Sequence, residues 1–250
     1  MLPAMLTTVD GVALVTFLLA WLLYEPILQM ARRPGSTIHT NMPVIRRAWM
    51  RNLVARENQF MDGQLLGQVL SSSTFLASSN LLLMAAATST LFHGEDSYRS
   101  AAALGVLKTS SRELFELQIG LIVLALARGL LAFIWAIRQL NYCLAALGGS
   151  PHKGGRRASA EAYANAFSRL LNPALSAFGV GVRGYYFAAV AAAWLFGPWT
   201  FLCATVAALA LLLWRQTFSP AAAAIAEIRA VLEGAGVDPS PDLSSANDPR

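Results

Sequence analysis

The chain has 250 residues, 56% hydrophobic and only 13% charged, with a mean hydropathy of +0.49 and a formal charge of +5. Soluble domains carry roughly a quarter charged residues, so the composition excludes that class and points to an integral membrane protein. The basic residues are nearly all Arg, with Lys only at Lys108 and Lys153, and they cluster beside apolar segments. That arrangement marks the cytoplasmic side of a membrane and argues against a nucleic-acid partner, which would want a basic face interleaved with stacking aromatics.

Crossing about 30 Å of hydrocarbon takes roughly 20 helical residues, and four segments qualify. The first, about 11–30, reads GVALVTFLLAWLLYEPILQM; Asp10 flanks it and no basic residue precedes it, so it is expected to be a span and not a signal peptide. In the connector that follows, Asn41 is a candidate cap and Pro43 stands near a first helical position. Ile45, Trp49 and Leu53 share one helical face and Arg47 and Arg51 the other, with Arg46 and Arg56 breaking the pattern. Two readings stay open, an interfacial helix and a basic connector packed on the other spans. The second span, about 64–92, is rich in Ser and Thr, a composition that suits close helix packing or a wet path. The third, about 114–147, is longer than a crossing needs, so it is expected to tilt or project. GGSPHKGG at 148–155 lacks the ending of a phosphate loop and reads as a flexible turn.

The stretch FGVGVRGYYF from Phe178 to Phe187 matches the dinucleotide-binding spacing through Gly179, Gly181 and Gly184. That fingerprint requires an acidic residue about 20 positions on, whereas an apolar run without acidic residues follows here. The glycines are expected to let the chain turn into the membrane and let helices approach closely. The fourth span covers about 184–214, with a kink expected at Gly197 and Pro198, either a hinge or a packing adjustment. Ser219 and Pro220 then open a short helix over 219–236, and a Pro-, Ser- and Asp-rich tail at 237–250 is expected to be disordered.

The sequence thus predicts an all-α, integral membrane helical bundle with four transmembrane helices over residues 1–218. The two connectors flanking spans one and four hold eleven Arg and Lys residues, so the positive-inside rule puts them in the cytoplasm, with both termini and the 219–236 helix outside. Arg-rich, Ala-rich usage is that of a GC-rich bacterial genome, which makes the inner membrane the expected location.

Cys143 and Cys203 stand alone, and His39, His93 and His152 lie in polar connecting stretches, so no metal, haem or other cofactor is expected. Arg128 falls at mid-span and needs a partner; Ser78, Ser79 and Asn80 of the second span lie near that depth. It is either a positive site for an anion or polar headgroup, or a structural Arg. Near the cytoplasmic interface, Glu25, Arg138, Asn141 and Arg183 form a candidate ion-pair cluster that would pin three helices.

GVRGYYFAAVAAAWLFGPW resembles the signature of an uncharacterised membrane-protein family, domain-of-unknown-function family 599. HTNMPVIRRAWMRN and AFIWAIRQLNY resemble two further blocks of it, so the likeness covers roughly residues 38–218. Where that family carries an Arg-Asn pair early in its second span, this chain has Gly67-Gln68. The resemblance implies a multi-span membrane protein and brings no activity with it. The expected function is that of a non-enzymatic accessory or assembly protein whose partners are the lipid bilayer and a membrane protein or second copy. The alternative is a small anion transporter or channel using Arg128 and the second span.

Overall fold

A computed structural model describes residues 6–30, 37–56, 58–103, 111–150 and 157–234. Over these the chain is helical: α1 (Thr8–Met30), α2 (Ile38–Ala55), α3 (Phe60–Phe92), α4 (Gly94–Ala103), α5 (Arg112–Gly148), α6 (Arg157–Ala193), a 3-10 turn (Trp194–Phe196), α7 (Pro198–Thr217) and α8 (Pro220–Gly234). Five segments are long and apolar enough to cross a membrane, drawn from α1, α3, α5, α6 and a stretch beginning at the start of α7. The protein is an all-α membrane bundle. Three expected spans lie within α1, α3 and α5.

The fourth does not survive as one helix. α6 begins at Arg157, runs unbroken through Gly179, Gly181 and Gly184, and stops before Gly197, whose φ of 110° is left-handed and open chiefly to glycine. Pro198 then supplies the first position of α7, where its missing N–H costs nothing. The expected kink is therefore a chain reversal. Trp194 stacks on Phe201 across it, with ring centroids 4.9 Å apart, and farther along Arg215 Nη1 donates to Tyr186 Oη at 2.8 Å. Four spans become five candidates.

At one end of the bundle, buried Asp10 at the start of α1 accepts from Trp194 Nε1 at 2.8 Å, and Gln118 of α5 donates to the Trp194 carbonyl at 3.2 Å. This Asp10 end thus gathers α1, α5 and the α6–α7 turn. α1 and α7 both run from it to the opposite, Glu25 end, so the described chain starts at one end and finishes at the other. The reversal at Gly197 adds one candidate crossing to the four expected. α8 packs on α2 at the basic-connector end, with Arg229 Nη1 donating to Asn41 Oδ1 at 3.1 Å.

α5 and α6 share the largest interface. Each has 37 residues, or about 55 Å at 1.5 Å per residue, well beyond the hydrocarbon thickness. One pair therefore carries two cores. Toward the Asp10 end, Phe17, Trp21, Leu126, Phe187, Trp194 and Phe201 pack together from α1, α5, α6 and α7. Toward the other end, Met50, Leu53, Leu66, Leu140, Phe167 and Leu171 join α2, α3, α5 and α6. α2 is thus a packed connector. Its Arg face meets α6, through Arg46 to Asn172, Arg47 to Asn165 and an Arg51–Glu161 ion pair. Its cap is Thr37, reciprocally bonded with Thr40, and not Asn41, which is buried in the first turn, while Pro43 lies inside the helix. At α8, Ser219 Oγ does accept from Ala222 N, at 3.2 Å. The tail 237–250, the turn residues 151–156, and Arg32 and Arg33 lie outside the described residues.

The glycines set the α5–α6 approach. A Cβ on Gly184 would stand 2.8 Å from Gly129 Cα, and one on Gly181 would stand 2.6 Å from the Phe133 ring. Gly184→Leu should therefore lower stability by about 1–3 kcal/mol or more through overpacking, read as thermal unfolding in detergent. Gly67→Leu, facing open space, should match the parent. Reporters fused to the two ends of the chain should report opposite sides of the membrane; a same-side result would refute the hairpin.

Candidate functional site

The intramembrane cluster expected around Arg128 is not assembled. Arg128 lies about 15 Å along α5 from Gln118, and its guanidinium sits over the Trp21 indole of α1, 5.4 Å from the ring centroid. Such a contact is worth about 0.5–2 kcal/mol and holds the cation on an aromatic face. Ser78 is exposed on α3, and Ser79 bonds back to the Phe75 carbonyl at 3.0 Å. Asn80 does turn inward. It is fully buried beside Gly129, with neither amide atom hydrogen-bonded. Asn80 and Arg128 thus serve different helix contacts, α3 on α5 and α5 on α1.

The interface cluster is assembled in part. Arg183 forms an ion pair with Glu25 and lies over the Tyr24 ring, 5.4 Å from its centroid, joining α6 to α1. Arg138 and Asn141 are not brought to it. Arg138 Nε donates to Tyr142 Oη at 2.7 Å on its own helix, and Asn141 Nδ2 donates to the Ile137 carbonyl at 3.0 Å, both on an exposed face of α5. Arg138 and Asn141 lie about two to three turns farther along α5 than Gly129, which meets Gly184 next to Arg183.

Arg183 also opens onto a cavity of about 350 Å³ between α2, α6 and α7, lined by His39, Pro43, Arg46, Asn172, Ser176 and Gln216 among others. An adjoining cavity of about 260 Å³ shares Ile38, Gly179, Arg183 and Gln216 with it and adds Tyr24, Phe178, Tyr186, Leu212 and Arg215. Arg46 Nη1 donates to Asn172 Oδ1 at 3.2 Å. Burial pulls the Arg46 guanidinium down to about 10, which leaves it charged at neutral pH. The sequence pattern treats Arg46 as a blemish on an amphipathic helix; the signal that would have found it is the cation itself on an otherwise packed face.

α3 is bound on one side only. Leu66, Ser73, Ala77 and Asn80 are its buried face, whereas Ser71, Thr74, Phe75, Ser78 and Leu82 are exposed. Asp62, near its start, is fully buried and holds α3 to α2 by accepting from Trp49 Nε1 at 2.6 Å and Arg56 Nη1 at 2.7 Å.

Removing Glu25 leaves the Arg183 cation unpaired in a half-buried setting. Glu25→Gln should cost about 1–3 kcal/mol, below the value for a fully buried pair because both side chains keep some solvent. Chemical denaturation in detergent reads this. Arg138→Gln should leave the midpoint unchanged.

No curated protein and no solved structure matches the chain. A family model described as "Protein of unknown function, DUF599" matches residues 12–221, spanning all three sequence blocks that carry the resemblance and both walls of the cavity. The chain belongs to that family.

Proposed function

We propose that the protein is a non-enzymatic accessory or assembly protein of the bacterial inner membrane, acting through contacts with another membrane protein. The observation that carries this reading is the outward face of α3. Gly67, Ser71, Thr74 and Ser78 recur at spacings of four, three and four, so small residues form one stripe along the helix. A Cβ on Gly67 would meet nothing within 4 Å, and the Ser71 and Ser78 hydroxyls have no hydrogen-bond partner among the described residues. Lipid gains nothing from such a stripe, whereas a neighbouring helix gains close backbone approach and hydroxyl contacts.

Glu25 is engaged by Arg183, which lines the cavity, and is a poor general base. The transport alternative draws on Arg128, the polar second span and Pro198; Arg128 lies over the Trp21 indole of α1. For orientation, the positive-inside rule with five crossings puts the Glu25 end, with α2 and α8, in the cytoplasm and the N-terminus outside.

Gentle extraction followed by native mass measurement and identification of every co-purifying chain tests the proposal. A foreign membrane protein at fixed stoichiometry is expected, and Ser71→Phe with Ser78→Phe should release it without changing the thermal midpoint of the isolated chain. A parent protein that elutes alone, or a partner retained by the double variant, would refute it.

A further inference from the structure

The cavity at the Glu25 end holds more positive charge and more free donors than its internal contacts consume. Arg46 and Arg183 line it from α2 and α6, Arg183 and Arg215 line the cavity that adjoins it, and Arg183 is paired with Glu25. Among the described residues Arg46 Nε is buried with no hydrogen-bond partner, and so are Tyr24 Oη and Gln216 Oε1. An amide's two ends are interchangeable by rotation, so Gln216 offers an NH2 to the same space. Buried donors left unmade are costly, and a guanidinium without a counter-ion more so.

We propose that this cavity is a binding site for a phosphate group, carried either by an anionic lipid headgroup or by a free phosphate. Guanidinium forks from α2 and α6, with that of Arg215 of α7 in the adjoining cavity, suit a tetrahedral anion with several acceptor oxygens better than a planar carboxylate, which offers two. The adjoining cavity shares Arg183 and Gln216, adds Arg215, and has on its other side an apolar and aromatic wall of Tyr24, Phe178, Val182, Tyr186 and Leu212. Apolar and aromatic surface beside a cationic chamber suits a phosphate attached to a glycerol and acyl chain, so the lipid is the favoured source. This site stands apart from the α3 stripe and does not depend on it.

The test uses the purified full-length protein in a neutral detergent, at constant ionic strength. One arm titrates sodium phosphate against sodium chloride, and the other titrates dihexanoyl phosphatidic acid against dihexanoyl phosphatidylcholine. The readouts are the thermal midpoint and the adduct in native mass spectrometry. The midpoint should rise with phosphatidic acid, and the apparent Kd should weaken at least tenfold in Arg46→Gln. Gln216→Glu, which keeps the side-chain size and sets a repelling charge in the cavity, should abolish the response even if Arg46→Gln folds poorly. Arg51→Gln, whose partner is Glu161 outside the cavity, should match the parent. A lipid response with inorganic phosphate silent assigns the headgroup, and a matching response to both assigns free phosphate. No response in either arm, or a response undiminished in both cavity variants, overturns the site.

Discussion

The closest constraint in this bundle is the backbone contact between α5 and α6. Gly129 faces Gly181 and Gly184 where any side chain would collide with backbone or with the Phe133 ring. Two 37-residue helices held that closely share a long seam, and their register fixes almost everything else. It presents Arg183, one residue before Gly184, to Glu25 and Tyr24 of α1. It sets Trp194 opposite Gln118, where the Trp194 indole also reaches Asp10. It leaves Asn80 of α3 beside the same crossing, fully buried. The spacing that mimics a nucleotide loop is thus read by another helix, and the absence of Cβ atoms is its message.

The second constraint is the reversal at Gly197. A run of about thirty apolar residues satisfies one tilted crossing as well as two short pieces of different helices, so hydropathy gives no reason to divide it. The local chemistry does give one. A glycine followed by proline is both a helix stop and a helix start, and a kink is the weaker reading when the glycine occupies left-handed backbone. Because the break turns one helix into two, one residue decides at which end of the bundle α8 lies. The same local competition explains the α2 cap. Thr37 and Thr40 form a reciprocal box, which satisfies two N–H groups where Asn41 as a cap would satisfy one, freeing Asn41 to receive Arg229.

Helix existence and class were legible because they depend on composition and length. The ion pairing was legible in part: Glu25 meets Arg183, which the sequence offers only beside Arg138 as its first partner. Arg138 and Asn141 lie about two to three turns farther along α5 than Gly129, which the glycine contact sets beside Gly184, a register that hydropathy does not reveal. Arg128 was misassigned because its neighbour is the indole of Trp21 on another helix, and a pairing between distant helices leaves no trace in either one alone. The hydroxyls of the second span misled in a simpler way. Thr74 and Ser79 bond back to their own carbonyls, so their polarity is spent within the helix.

The two ends of the molecule differ in how their polar groups are satisfied, and the difference bears on function. At the Asp10 end, carboxylate, indole, amide and carbonyl meet in mutual hydrogen bonds, an arrangement that fixes geometry and asks for nothing more. At the Glu25 end, guanidinium, hydroxyl and amide groups border an open cavity with donors left over. Such a deficit lowers stability of the empty protein, and an anion that binds only the folded form returns it through mass action. Of the elements around that cavity, α6 belongs to the α5–α6 seam, whereas the N-terminal half of α2 and the C-terminal ends of α1 and α7 are peripheral to it. One wall of the cavity is therefore fixed by the glycine contact, and the opposite wall is held by the packing of α2 on α6 and α8.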